Sequence, residues 1–134
     1  MLVLLAGWML WGDAEQEITD VVSTLAGALS AGDAELFLKT LDHDMPGYRK
    51  LEQDLHALAG DTDISCTIEL LANSGSASAQ TADLDWYMVL KSQENENLIE
   101  RRRTKVTVKL EERGKKWVVT SFAPLSIFAP MTAR

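Results

Sequence analysis

The alternation that runs through the C-terminal half is the strongest constraint on this chain. From Thr104 to Leu110 the even positions are Thr104, Val106, Val108 and Leu110, and the odd ones are Lys105, Thr107 and Lys109. One apolar and one charged face at a period of two is the mark of a half-buried strand. The whole stretch over 98–112 is read as a strand, although the alternation itself holds only from Thr104 on. Leu84, Trp86, Met88 and Leu90 repeat it against Asp83, Asp85, Tyr87 and Lys91, and Trp117 to Phe122 is a third apolar, β-branched run. Glu94-Asn95-Glu96-Asn97 and Arg113-Gly114-Lys115 separate the runs with turn chemistry. Connections this short require antiparallel pairing. A strand of about fifteen residues spans roughly 50 Å at about 3.3 Å per residue. A sheet of such strands must twist and curl around something.

What it curls around has to come from the residues ahead of it. Ile18, Val21, Val22, Leu25 and Leu29 share one helical face, with Asp13 and Gln16 placed as a capping box and Gly32 as a stop. Asp33 restarts a short helix carrying Leu36, Phe37, Leu38 and Leu41, which ends before Met45-Pro46-Gly47. A third helix presents Tyr48, Leu51, Leu55 and Leu58 inward and ends at Gly60. A first strand follows over 63–71, with Ile64, Cys66, Ile68 and Leu70 on one face and the turn Asn73-Ser74-Gly75-Ser76 after it. Pro124 and Pro130 bracket a last apolar piece. The fold class is α+β: three N-terminal helices packed in the concave face of a curved, mainly antiparallel four-stranded sheet.

At 134 residues the chain is one domain, large enough to hold a core without a disulfide or a metal. Its one cysteine, Cys66, excludes an internal disulfide and a zinc-type cluster, and its strand parity makes it a small core residue. The net charge of −7 is unevenly spread: residues 1–90 carry three Lys/Arg against fifteen Asp/Glu, whereas 91–116 carry nine against five. Those basic residues alternate with apolar ones, so they read first as a solvated sheet face. The aromatic residues do not interleave with them as a stacking platform would need, which argues against nucleic acid as a partner.

Residues 1–12, MLVLLAGWMLWG, form an apolar segment too short to span a bilayer. Its length fits the apolar region of a signal peptide or anchor, although a leading positive charge and a small-x-small cleavage site are missing. One explanation places the true start upstream of Met1; the other is an apolar terminus packed on the domain. Trp8 and Trp11 favour a remnant of an export signal, hence a periplasmic or secreted protein, otherwise cytoplasmic. The membrane would be touched only through this segment if it stays uncleaved. The domain then covers 13–130, and 131–134 is a tail.

The opening helix ending in Ala28-Leu29-Ser30-Ala31-Gly32-Asp33-Ala34-Glu35, the following Phe37 and Leu41-Asp42, and the closing Arg113-Gly114-Lys115-Lys116-Trp117-Val118-Val119 resemble the nuclear transport factor 2-like superfamily. That superfamily also holds ketosteroid isomerase-like and scytalone dehydratase-like proteins. The resemblance covers roughly residues 14–124. DHDMPGY at 42–48 and DLDWY at 83–87 are also similar to exported bacterial members without assigned function. The resemblance implies a cone with a pocket at its open end, and a homodimer through the outer face of the sheet. In such a pocket Phe37, Leu41, Tyr48, Trp86, Met88 and Arg102 are the lining candidates. Tyr48 and Arg102 would be polar anchors for a small hydrophobic ligand with an anionic end.

Enzymes on this fold use a buried carboxylate or a His–Asp pair as general base. Asp42, His43 and Asp44 form the one acidic-imidazole cluster, with Asp42 and His43 the weak catalytic candidates. Consecutive residues cannot all face one site, so a solvated helix end is the simpler reading. Only Glu100 and Arg102 are ionisable on the apolar parity of the strands, near an end where a bulge would shift the register. His56, four residues after Glu52, reads as half of a surface pair. No cofactor or metal ligand set is legible, and no phosphate loop. The sequence therefore favours a non-catalytic, exported domain that binds a small apolar ligand or a protein partner. An isomerase or dehydratase using Asp42 or His43 is the rival reading.

Overall fold

The computed structural model describes residues 2–131, with side chains from Glu15 onward. The expectations for Trp8 and Trp11 and for the tail beyond Met131 fall outside that description. Three helices, α1 (Leu2–Ser30), α2 (Ala34–Lys39) and α3 (Tyr48–Asp61), precede four strands. These are β1 (Thr62–Gly75), β2 (Ala79–Ser92), β3 (Ile99–Arg113) and β4 (Lys116–Ala123), followed by a 3-10 turn, η1 (Leu125–Phe128). The strands pair in sequence order and every neighbour is antiparallel. The curved sheet wraps the helices, as its alternation requires.

Some boundaries differ. β1, expected over 63–71, runs on to Gly75 through the expected turn at Asn73-Ser74-Gly75-Ser76, because pairing with β2 resumes past the bulge at Leu70/Ala72 and continues to Gly75 opposite Gln80. Asp13 does not start a helix: α1 runs unbroken from Leu2 through Asp13 to Ser30. A residue that caps well also tolerates the interior of a helix when residues on both sides keep helical backbone. No helix among the described residues is long and apolar enough to cross a membrane.

The core lies between the helices and the concave side of the sheet. Ile18, Leu25 and Leu29 of α1, Phe37 of α2, and Leu51, Leu55 and Leu58 of α3 are buried against it. From the sheet they meet Leu84, Trp86, Met88 and Leu90 of β2 and Val106, Val108 and Leu110 of β3. Leu36, expected on the core side of α2, is instead exposed, because Ala34, Phe37 and Leu38 take the inward arc of the helix and Leu36 falls outside it. Two register shifts bend the sheet, one at Leu70/Ala72 in β1 and one between β3 and β4 beyond Lys109. None falls between β2 and β3, so Glu100 and Arg102 keep the concave parity, opposite Leu90 and Met88.

The helices are fixed by local chemistry. Asp33 caps α2, its Oδ1 accepting from the Leu36 N–H at 3.0 Å. Gly47 begins α3 with φ +79°, and a methyl there would run into Leu125, so only glycine suits both demands. Trp117 Nε1 donates to the Glu17 carboxylate and joins β4 to α1. His56 pairs not with Glu52 but with Glu35 of α2, at 3.5 Å. The expected partner shares its helix; the observed one is brought across by the packing of α2 on α3.

Candidate functional site

The interior of the cone is a cluster of aromatic rings drawn from four elements. Phe37 comes from α2, Trp86 from the middle of β2, Phe122 from β4 and Phe128 from η1. Trp86 meets Phe122, Phe128 and Phe37 edge-on at centroid distances of 5.2, 5.7 and 6.4 Å. Phe128 also lies 5.4 Å from Phe37 and 5.2 Å from Phe122. Edge-to-face rings at such distances add to simple area burial. Trp86, Phe37, Met88 and Phe128 are each 0% exposed. Within this shell the indole Nε1 of Trp86 has no hydrogen-bond partner. A buried donor left unpaired costs about 1–3 kcal/mol, and the facing rings offer only the weak acceptor of a π cloud.

A short polar row borders the cluster on β3. Glu100, Arg102 and Thr104 face inward opposite Leu90, Met88 and Trp86. Arg102 Nε donates to Glu100 Oε2 at 2.7 Å and its Nη1 donates to the Ile127 carbonyl at 2.8 Å. The guanidinium thus holds η1 against the sheet. Tyr48, at the start of α3, is buried and stacks on His43 with ring centroids 4.7 Å apart. Burial, and then the negative charges of Glu52 and Glu35, push its phenol above the ordinary value. Leu41 is buried and forms a parallel bridge to Val119.

Asp42 and His43 are placed by that same bridge. The Asp42 N–H donates to the Val119 carbonyl at 2.8 Å, and the Val119 N–H to Thr40 at 2.9 Å. Asp42 Oδ1 accepts from the Asp44 N–H and Oδ2 from Arg113 Nη2, both at 2.8 Å. The Asp44 amide first, and then Arg113, hold this carboxyl below the usual carboxylate range. A general base working near neutrality needs the opposite shift. His43 is exposed. Cys66 is buried, and burial pushes its thiol up to about 12, so it is no nucleophile at neutral pH. Among the described residues no group of three or more His, Cys, Asp or Glu side chains is gathered to hold a metal ion.

The structure therefore brings Phe37 and Trp86 together with Phe122 and Phe128, and sets Met88 beside Arg102 in register. It brings His43 to Tyr48, and places Asp42 with Arg113. Phe128 was missed as a central residue because a four-residue turn has no periodicity to show which way it points. The Asp42–Arg113 and Glu17–Trp117 contacts join residues 71 and 100 positions apart, and no local pattern announces such pairs.

The fold is that of known structures. A conserved protein from Planctomyces limnophilus superposes with a TM-score of 0.73 at 8% identity, over 81% of this chain and 91% of that one. This is the nuclear transport factor 2-like fold. An NTF2-like superfamily protein from Salmonella enterica matches with a TM-score of 0.65 at 15% identity, over 92% of this chain and 95% of that one. A ketosteroid isomerase-like protein from Erwinia carotovora atroseptica gives 0.66 at 12% identity, over 80% and 91%. No family model matches the sequence, and no curated protein does. At these identities the nuclear transport factor 2-like fold is what the likeness carries; the chemistry has to be argued from this chain's own residues.

Proposed function

We propose that this chain is a non-catalytic binding domain whose partners are proteins. The observation that carries the reading is the composition of the buried set. Apart from Thr62 and Gln80 its described members are apolar or aromatic, with Tyr48 and Cys66 the only titratable ones, and the Trp86 cluster is closed by side chains of this chain. The acids and bases that could do chemistry lie outside it, and Asp42 is committed to Arg113.

The first partner is a second copy, met through the convex face of the sheet. There the acids Asp63, Glu69, Asp83 and Asp85 lie on β1 and β2, and the bases Arg101, Arg103, Lys105 and Lys109 on β3. A two-fold axis parallel to the strands, above β2, sets each acidic β1 over a basic β3, which is the self-complementary arrangement an isologous dimer needs. Light scattering on the purified chain tests it. A dimer at about 0.05 M salt that loosens near about 1 M is expected, since exposed charges are screened over that range. A monomer at both salts at high protein concentration removes this partner.

The second reading is a small apolar molecule in the cone, and the bare Trp86 Nε1 favours it. Such a ligand would carry an acceptor for the indole N–H and would displace Phe128. Mass spectrometry of protein extracted under gentle, non-denaturing conditions tests this: a retained molecule lost in Trp86→Phe supports it, and bare protein from every source sinks it. An isomerase or dehydratase with Asp42 or His43 as base has the lowered Asp42 pKa against it. Export rests on the apolar run at 1–12. Cell fractionation with N-terminal sequencing tests it, and a cytoplasmic product with Met1 intact ends it.

A further inference from the structure

A sheet that is not closed into a barrel has borders, and bare borders invite pairing. At the outer border of β1 the Ser30 hydroxyl accepts from the Cys66 N–H at 3.0 Å. At the outer border of β4, Thr40 and Asp42, on either side of Leu41, bond to Val119. The third border carries no such contact to its backbone among the described residues. The shorter β4 pairs with β3 only from Thr107 to Arg113, so Ile99–Val106 has β2 on one side and no strand on the other.

The direction of each backbone group on that stretch follows from the turns at its ends. The Leu98 carbonyl accepts from Ser92 N–H at 3.0 Å, and the Glu112 N–H donates to Ser78 at 2.8 Å, so even-numbered residues of β3 face β2. The odd ones, Ile99, Arg101, Arg103 and Lys105, turn both N–H and C=O outward. None of them has a backbone partner on that side among the described residues. Beside them lies a hollow of about 340 Å³, walled by Arg101, Arg102, Arg103 and Thr104 on the strand and by Pro124, Ser126 and Ile127 of the turn below. It stands where an added strand would set an inward side chain.

Charge decides the occupant. Arg101, Arg103 and Lys105 are exposed on the convex side of this border; Arg103 is shared with Asp85 and Lys105 with Asp83, and Arg101 has no acid beside it among the described residues. Two copies joined edge to edge would set these like charges against one another, which is unfavourable. A strand carrying a carboxylate at every second position meets them with the right sign. A nucleic acid would use the N–H donors and leave the carbonyls facing phosphate, so a peptide fits both halves of the border and a phosphate chain only one. We infer that the free border of β3 at Ile99–Val106 docks an extended segment of another protein, acidic at alternate positions, as a fifth strand. The neighbouring inward positions of that segment are short and apolar, to suit Pro124 and Ile127.

The test uses the whole chain and a labelled peptide of about eight residues, the length of a full strand, alternating glutamate with valine. Its controls are a peptide of the same composition in two blocks and a single-stranded RNA oligomer. Fluorescence anisotropy should show micromolar binding of the alternating peptide, about tenfold weaker at high salt. Arg101→Gln should weaken it severalfold, and Arg101→Pro should abolish it, because proline removes an outward N–H and leaves the bonds to β2 intact. Amide hydrogen exchange on the unaltered protein reads the same geometry without a variant. The amides of Ile99, Arg101, Arg103 and Lys105 should exchange fast in the free protein and at least about tenfold slower with peptide bound. Overturning results are slow exchange of those amides before peptide is added, no change at saturation, or no binding up to about 1 mM. Equal binding of the block peptide, or tighter binding of the RNA, overturns it as well.

Discussion

Trp86 is buried to its last atom, yet its one polar atom is alone, and two substitutions separate the ring's packing from its nitrogen. Phe128→Ala deletes a fully buried ring that touches Phe37, Trp86 and Phe122. It should cost about 3–5 kcal/mol in urea unfolding, the usual range for such a truncation. Trp86→Phe also loses volume, but it removes the unpaired donor, whose burial alone costs about 1–3 kcal/mol. The two changes oppose each other, so the net loss should stay below about 2 kcal/mol. A loss as large as that of Phe128→Ala would mean that Nε1 has an acceptor in solution. Parity alone placed Trp86, Met88 and Cys66 inside, because a period of two leaves each strand residue one choice of side. What surrounds Trp86 was beyond that reasoning: Phe37, Phe122 and Phe128 arrive from three separate elements.

Between elements, Ser30 is the joint that most repays a test. It ends α1, and its hydroxyl accepts from the Cys66 N–H and donates to the Cys66 carbonyl at 3.4 Å, so one side chain closes a piece of the β1 border. Ser30→Ala should cost about 1 kcal/mol, the typical worth of such bonds. It should also speed amide exchange at Cys66 while leaving the middle of β2 unchanged; uniform acceleration across the sheet would show that the joint is not local. The four strands and the last two turns were legible because alternation and turn chemistry are local signals; the first turn was read too early, since Asn73, Ser74 and Gly75 still pair with β2. The length of α1 was not legible, since Asp13 offers a cap without forcing a helix to start there. The partner of His56 was not, since the choice between Glu52 and Glu35 depends on how α2 sits on α3. The end of β4 was legible, since the run read over Trp117 to Phe122, with Pro124 after it, is the strand Lys116–Ala123.

At the scale of the whole molecule two of the acids tie separate elements together, one across the fold and one across neighbouring strands. Arg113 brings the end of β3 to Asp42, beyond α2, and Arg103 joins β3 to Asp85 of β2 through two bonds of 3.2 and 2.7 Å. Both carboxyls are held below the ordinary aspartate value of 3.8: Asp42 by the Asp44 amide and then Arg113, Asp85 by Arg103. As pH falls through that value the unfolded chain takes up these protons first, so acid draws the equilibrium toward unfolding. The stabilisation is complete above the unfolded value and is lost as pH falls through the lower folded values. Thermal midpoints should therefore hold steady from about pH 7 to about pH 5 and drop below about pH 4. Asp42→Asn and Asp85→Asn should each start slightly lower at neutral pH and fall less steeply in acid, because the residue that gains the proton is gone. Both pairs are solvent-facing, so the gap at neutral pH should also narrow in high salt. Curves for the two variants that run parallel to the parent down to about pH 2 would mean that other carboxylates govern acid unfolding. The Asp42–Arg113 link would then be a contact of geometry with no share in holding the connection after α2 to the sheet.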